Sequence, residues 1–243
     1  MESPVNFAIA NRVDGCWRWL QRRLLPERCL VCTEPGAPGL DLCPACCDAL
    51  PWNAHACRHC ALPLPGLDAD QLCGACQRRR PPLHLVVSAC VYAAPVDGLL
   101  RRFKFHQDLV AGRLLAALLQ ARCAALPRPQ ALLPIPLHTA RLRERGYDQA
   151  LELARPLARA LDVPVCHGLQ RVRATVAQSE LDARARRRNL RGAFAVPDPA
   201  VLPAHVALID DVMTTGATLH AAAQALRRAG VTRVDAWVVA RVP

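Results

Sequence analysis

The residues best placed to do chemistry lie near the end of the chain. Asp210 and Asp211 follow the apolar run Val206-Ala207-Leu208-Ile209, and after two spacers come Thr214, Thr215, Gly216, Ala217 and Thr218. Vicinal carboxylates can accept hydrogen bonds from two sugar hydroxyls, or approach a divalent metal. A turn of small hydroxylated residues around a glycine, opening a helix, presents free backbone N–H groups, hydroxyl donors and the positive end of the helix dipole. That is a cradle for a phosphate monoester. A phosphate beside a diol describes a ribose 5-phosphate. The competing reading is that Asp211 or Thr214 merely caps a helix.

Such a site needs a strand to deliver it and a helix to receive it. The apolar run has the look of a fully buried parallel strand, and ligands of open α/β sheets sit at the carboxyl ends of such strands. Leu219, Ala222, Ala223 and Leu226 recur at helical spacing, and Gly230 stops that helix. Upstream, residues 85–92 and 131–137 read as strands, and 96–103 and 109–126 as helices. Alternating strands and helices predict an α/β fold with a parallel sheet flanked by helices. The loop after 131–137 carries Arg141, Arg143 and Arg145 before Gly146, Tyr147, Asp148 and Gln149. Guanidinium groups at a glycine turn can hold a diphosphate; a solvated arginine cluster before a helix start fits the same residues. Residues 171–194 are dense in arginine and poor in large apolar side chains, with Arg171, Arg173, Thr175, Gln178, Arg186 and Asn189. This block is either a loop that closes over a substrate to exclude water or an exposed helix from about Ser179 to Asn189.

The front of the chain holds different chemistry. Four Cys-x-x-Cys pairs stand in succession: Cys29/Cys32, Cys43/Cys46, Cys57/Cys60 and Cys73/Cys76. Two pairs complete a tetrahedral zinc site, so eight thiolates suit two structural zinc ions with no position left for a catalytic water. Sequential and cross-braced pairing both fit the spacing. Disulfides would need an oxidising compartment. A zinc-ribbon redox or metal sensor is a weaker reading, because four equivalent pairs contain no distinctive thiolate. Cys16, Cys47, Cys90, Cys123 and Cys166 fit no pair and read as small apolar residues of the core. Residues 13–25 form an amphipathic pattern. The division expected is a lead-in over 1–28, a double zinc ribbon over 29–80, and an α/β domain over 81–243.

The chain has 243 residues and a net charge of +11, nearly all of it arginine, with Lys104 the only lysine. Such a balance suits an anionic partner, either phosphates of a small substrate or nucleic acid. Arg78-Arg79-Arg80 is a linker or a nucleic-acid contact. No apolar run is long enough to cross a bilayer and no secretory signal is visible, so a cytoplasmic location without a transmembrane segment is expected.

The string from Asp210 to Thr218 resembles the phosphoribosyl diphosphate (PRPP) signature of type I phosphoribosyltransferases. Taken with the four cysteine pairs, Pro134-Ile135-Pro136-Leu137, Arg145 to Gln149, and Arg171-x-Arg173-x-Thr175-x-x-Gln178 with Leu181, Arg186 and Asn189, the chain resembles the ComF family. Tyr147-Asp148 stands where that family usually shows Phe-Asn. The resemblance implies a type I phosphoribosyltransferase fold behind a zinc module, and a link to DNA uptake or use of external DNA. It implies that Thr214 to Thr218 hold the 5-phosphate of PRPP, and that Asp210 and Asp211 meet the ribose directly or through Mg²⁺. Arg141, Arg145, Gly146 and Gln149 would receive diphosphate, and Arg171 to Asn189 would close the site. The function implied is phosphoribosyl transfer with diphosphate release. The alternative is a non-catalytic adaptor that binds single-stranded DNA or proteins of the uptake machinery and keeps PRPP as a regulatory ligand.

Overall fold

In the computed structural model the described residues are 27–66, 71–173, 192–199 and 202–243. The readings made for the N-terminal amphipathic stretch, Cys16, and Thr175, Gln178, Leu181, Arg186 and Asn189 lie outside them. The described residues fall into two compact units, divided between Ala49 and Leu50.

The first unit is built around a knuckle. The Cys29 N–H donates to Glu34 O at 2.8 Å and the Thr33 N–H to Cys29 O at 2.9 Å, with Thr33 at φ 69°. Helix α1 (Pro44–Asp48) follows Cys43, whose Sγ accepts from the Cys46 N–H. The second unit opens with the same device. The Cys57 N–H donates to Leu62 O at 2.8 Å and the Ala61 N–H to Cys57 O at 2.7 Å, with Ala61 at φ 53°. Helix α2 (Gly74–Arg78) then follows Cys73.

The rest of the second unit is a parallel sheet. Its strands are β1 (Val86–Val91), β2 (Ala131–Pro134), β5 (His205–Met213) and β6 (Arg233–Arg241), in the order β1-β6-β5-β2, every pair parallel. The two-residue strands β3 (Gln170–Arg171) and β4 (Phe194–Ala195) pair antiparallel beside it. Helices α3 (Val96–Phe105), α4 (Leu109–Cys123), α5 (Thr139–Arg145), α6 (Gln149–Leu161) and α7 (Ala217–Arg228) connect the strands. Val206, Leu208, Val234, Ala236 and Val238 share one apolar cluster with Leu219, Ala222, Ala223 and Leu226 of α7 and with Ala61 of the second knuckle. The alternate residues Ala207, Ile209, Trp237 and Val239 are also buried. They point to the opposite face, where α4 packs on β1 and β6, and α6 on β2 and β5. Burial on both faces is why these strands read as unbroken apolar runs.

Both edges of the sheet carry short covering segments. Beside β1, the Asn53 N–H donates to Ala89 O and the Val91 N–H to Pro51 O; Arg122 of α4 holds this segment by donating to Asn53 O and Ala54 O. Beside β2, the Leu132 N–H donates to Pro164 O and the Cys166 N–H to Leu132 O. The arginine loop after β2 differs from its sequence reading, because Thr139–Arg145 is helical. His138 Nδ1 accepts from the Ala140 N–H at its start, and Gly146, at φ 77°, ends it with its N–H on Leu142 O. A left-handed residue after the last turn is an efficient helix stop, and glycine adopts it without strain.

Candidate functional site

Strand β5 carries Asp210 and Asp211 toward its carboxyl end, and the turn that follows delivers the start of α7. Gly216 is the N-cap residue, at φ 74°, and no side chain caps the helix. A Cβ on Gly216 would stand 2.4 Å from Met213 Cε. Gly216, rather than Asp211 or Thr214, thus holds the N-cap position, and Gly216, Ala217 and Thr218 line the cleft in front of the helix start. Asp210 Oδ1 accepts from the Asp211 N–H at 2.9 Å.

One cleft of about 210 Å³ gathers most of the residues singled out in the sequence: Asp210, Asp211, Thr214, Gly216, Ala217, Thr218, Arg141, Arg145, Gln149 and Arg171 line it. Thr215 and Gly146 are not among its lining residues, and Arg173 is exposed outside it. Asp148 explains part of the geometry. Its Oδ1 accepts from the Leu151 N–H at 3.1 Å, capping α6, and its Oδ2 accepts from the Leu137 N–H at 3.3 Å. The carboxylate thus ties the loop after β2 to the start of α6. Tyr147 lies against Phe103, with ring centroids 5.8 Å apart. The Arg171 guanidinium lies over the Phe194 ring at 5.7 Å, across the β3–β4 pair.

Sequence reasoning passed over Lys104, the penultimate residue of α3. Its Nζ sits 2.7 Å from Asp211 Oδ2, with the two side chains 24% and 9% exposed. The signal available was its singularity in an arginine-rich chain. Burial works against the ammonium, but the charge and hydrogen bond of Asp211 outweigh it and raise the Lys104 pKa. Asp210 keeps some accessible surface, yet the protein packed around its carboxyl and the neighbouring Asp211 charge push its pKa up to about 8, against the pull of Lys104. Asp210 therefore favours its protonated form near neutrality in the unliganded cleft.

The cysteines form two clusters, Cys29 with Cys32, Cys43 and Cys46, and Cys57 with Cys60, Cys73 and Cys76, the sulfurs of each lying within 4.8 Å of one another. Pairing is thus sequential. Cys32 and Cys43 Sγ are 3.6 Å apart, as are Cys60 and Cys73 Sγ. Zinc–sulfur bonds of about 2.3 Å in a tetrahedron place sulfurs about 3.8 Å apart, so both clusters fit structural zinc. Hydrogen bonds overcome burial and lower Cys29 to about 6 and Cys73 to about 7, while neighbouring thiols and burial raise Cys46, Cys60 and Cys76, so one thiol of each cluster gives up its proton most readily. Neither His55 nor His59 belongs to a cluster. The second cluster is joined to the sheet: Arg241 Nε donates to Cys60 O at 2.9 Å, and its Nη1 to Met213 O at 3.3 Å. Of the remaining cysteines, Cys90 and Cys123 are buried, whereas Cys47 and Cys166 are only partly so.

Comparison with known proteins places this architecture. Residues 20–77 match the double zinc ribbon domain, and residues 148–243 the phosphoribosyl transferase domain. The chain is 35% identical over 227 residues to DNA utilization protein YhgH of Salmonella typhi, covering 89% of this chain and 98% of that one. It is 38% identical over 194 residues to competence protein F of Haemophilus influenzae, covering 76% and 84%. The chain belongs to the ComF family. A shorter match, 36% over 99 residues, relates this ComF chain to competence protein ComFC of Bacillus subtilis, with 41% of this chain and 39% of that one covered. Among solved structures, the glutamine PRPP amidotransferase from B. subtilis complexed with ADP and GMP aligns with 51% of the ComF chain and 25% of its own, at 20% identity and a TM-score of 0.36. Among the described residues, no helix is long and apolar enough to cross a membrane.

Proposed function

We propose that this protein binds PRPP with Mg²⁺ in the cleft at the end of β5 and transfers its phosphoribosyl group, releasing diphosphate, in the handling of DNA taken up into the cytoplasm. The observation that carries the reading is the start of α7: its first turn, with its N–H groups, opens from a left-handed glycine onto the cleft, three residues past the end of the strand that bears Asp210 and Asp211. The 5-phosphate takes those N–H groups with Thr214 and Thr218. Asp211 and Asp210 meet the ribose hydroxyls directly or through Mg²⁺. Arg141, Arg145 and Arg171 face the diphosphate.

Displacement at the anomeric carbon passes through an oxocarbenium-like state. Asp211, joined by Asp210 once ligand binding displaces its proton, offsets its positive charge, and the arginines stabilise the departing diphosphate. Among the described residues of the cleft, no side chain presents itself as a general base for the acceptor. The DNA link comes from the relatives named for DNA utilization and competence.

The test is calorimetric titration with PRPP and Mg²⁺, followed by an assay of diphosphate release over a panel of nucleobases. Asp211→Ala should weaken PRPP binding by about tenfold or more, the value of a charge-assisted hydrogen bond, and parent-like binding in that variant would refute the reading. A second reading draws on the exposed Arg78-Arg79-Arg80 run and on the exposed Phe105 ring, which has the Arg145 guanidinium 5.7 Å above it. Such features suit an adaptor for single-stranded DNA, with PRPP as a regulatory ligand. PRPP binding without diphosphate release under any acceptor would select it.

A further inference from the structure

Lys104 and Asp211 pose a problem for any ligand that needs the carboxylate. The ammonium lies 2.7 Å from Asp211 Oδ2, so a ribose hydroxyl or a metal ion reaching that oxygen competes with it. Lys104 also lines the same cleft as Arg141, Arg145 and Arg171. Its helix is held independently of the ammonium, because Leu99, Leu100 and Phe103 are buried. The backbone is therefore anchored one residue away, while a four-carbon stem with three rotatable donors can swing its charge over several ångströms.

We propose that Lys104 is an exchangeable counter-ion that selects for diphosphate on the ribose: the incoming sugar displaces its ammonium from Asp211, and the ammonium transfers to a diphosphate oxygen. This rests on the PRPP reading of the cleft and deepens it. A ligand with the diphosphate compensates Lys104 for the lost partner. Ribose 5-phosphate displaces the lysine in the same way but gives it nothing at the anomeric side. The pair thus penalises the monophosphate and leaves the diphosphate bound, so discrimination exceeds what the arginines alone provide. A purely structural role for the ion pair makes no distinction between the two ligands.

The test measures PRPP with Mg²⁺ and ribose 5-phosphate with Mg²⁺ separately by calorimetry on the parent, Lys104→Gln and Lys104→Arg, with thermal unfolding of each. Lys104→Gln should bind ribose 5-phosphate about tenfold or more tightly, since no charge-assisted contact has to be broken, while its affinity for PRPP should change much less, the lost diphosphate contact offsetting the freed Asp211. Lys104→Arg, which keeps the charge, should restore much of the preference. If Lys104→Gln weakens both ligands alike, or leaves both unchanged, counter-ion exchange is overturned while the PRPP reading stands. If the parent binds no PRPP, the reading of the cleft falls and this inference with it.

Discussion

The proton that Asp210 retains has a consequence that can be measured without any ligand. Asp210→Asn keeps the shape and the Oδ1 that accepts from the Asp211 N–H, but removes the ionisation. In the folded chain the Asp210 pKa is raised to about 8, whereas an unfolded aspartate titrates near 3.9. The folded chain therefore holds a proton that the unfolded chain has released. The stability this supplies is fully present below about pH 4 and is lost as pH rises through about 8. Each pH unit well inside that window is worth about 1.4 kcal/mol. Between pH 6 and pH 7.5, with partial ionisation allowed for, the parent should lose about 2 kcal/mol relative to Asp210→Asn. Urea unfolding of both proteins at each pH, with zinc held constant, reads this as a difference, so titrations elsewhere in the chain cancel. A flat difference across that range would show that the Asp210 carboxyl is not enclosed as described and is ionised at neutrality.

Three further outcomes follow from the same geometry. Elemental analysis of protein purified without added metal should find two zinc ions per chain, and a value near one would remove one of the cysteine clusters. Cys29→Ser should open residues 27–49 to protease while the melting of Leu50–Pro243 is unchanged; Cys60→Ser should lower that melting temperature, because Cys60 packs on the sheet's core and its carbonyl accepts from Arg241. Gly216→Ala should cost on the order of 1–2 kcal/mol in thermal unfolding, the penalty of a left-handed backbone for a residue with a Cβ, and an unstrained variant would mean that the turn is not at φ 74°.

The sheet was legible because burial on both faces leaves continuous apolar runs, and the phosphate turn because its residue types sit at fixed offsets from a strand end. The start and stop of α7 were equally plain, since Ala217 and Arg228 lie between two glycines. Other features depend on contacts that no local pattern encodes. Arg141 to Arg145 read as a loop because its apolar residues are few; the helix exists through His138 at one end and Gly146 at the other. The pairing of cysteines was open on spacing and is settled by the fold, which gathers the sulfurs of Cys29, Cys32, Cys43 and Cys46 in one place and those of Cys57, Cys60, Cys73 and Cys76 in another. Lys104 belongs to no motif, and its meeting with Asp211 depends on how α3 lies against the sheet. Asp148, which stood out as a carboxylate near an anion site, is engaged by two backbone N–H groups.

The covered margins of the sheet bear on how copies of this protein can associate. A strand with unpaired backbone groups is a template for another chain, and proteins commonly shield it. Here Pro51–Asn53 takes up hydrogen bonds of β1, and Pro164–Cys166 those of β2. The first of these is clamped by two donations from Arg122. An intermolecular sheet would have to strip one of these segments away before it could form. Self-association of the folded protein is thereby directed away from strand addition and toward its helical or loop surfaces, and loosening the Arg122 clamp is the step that would expose a polymerising edge.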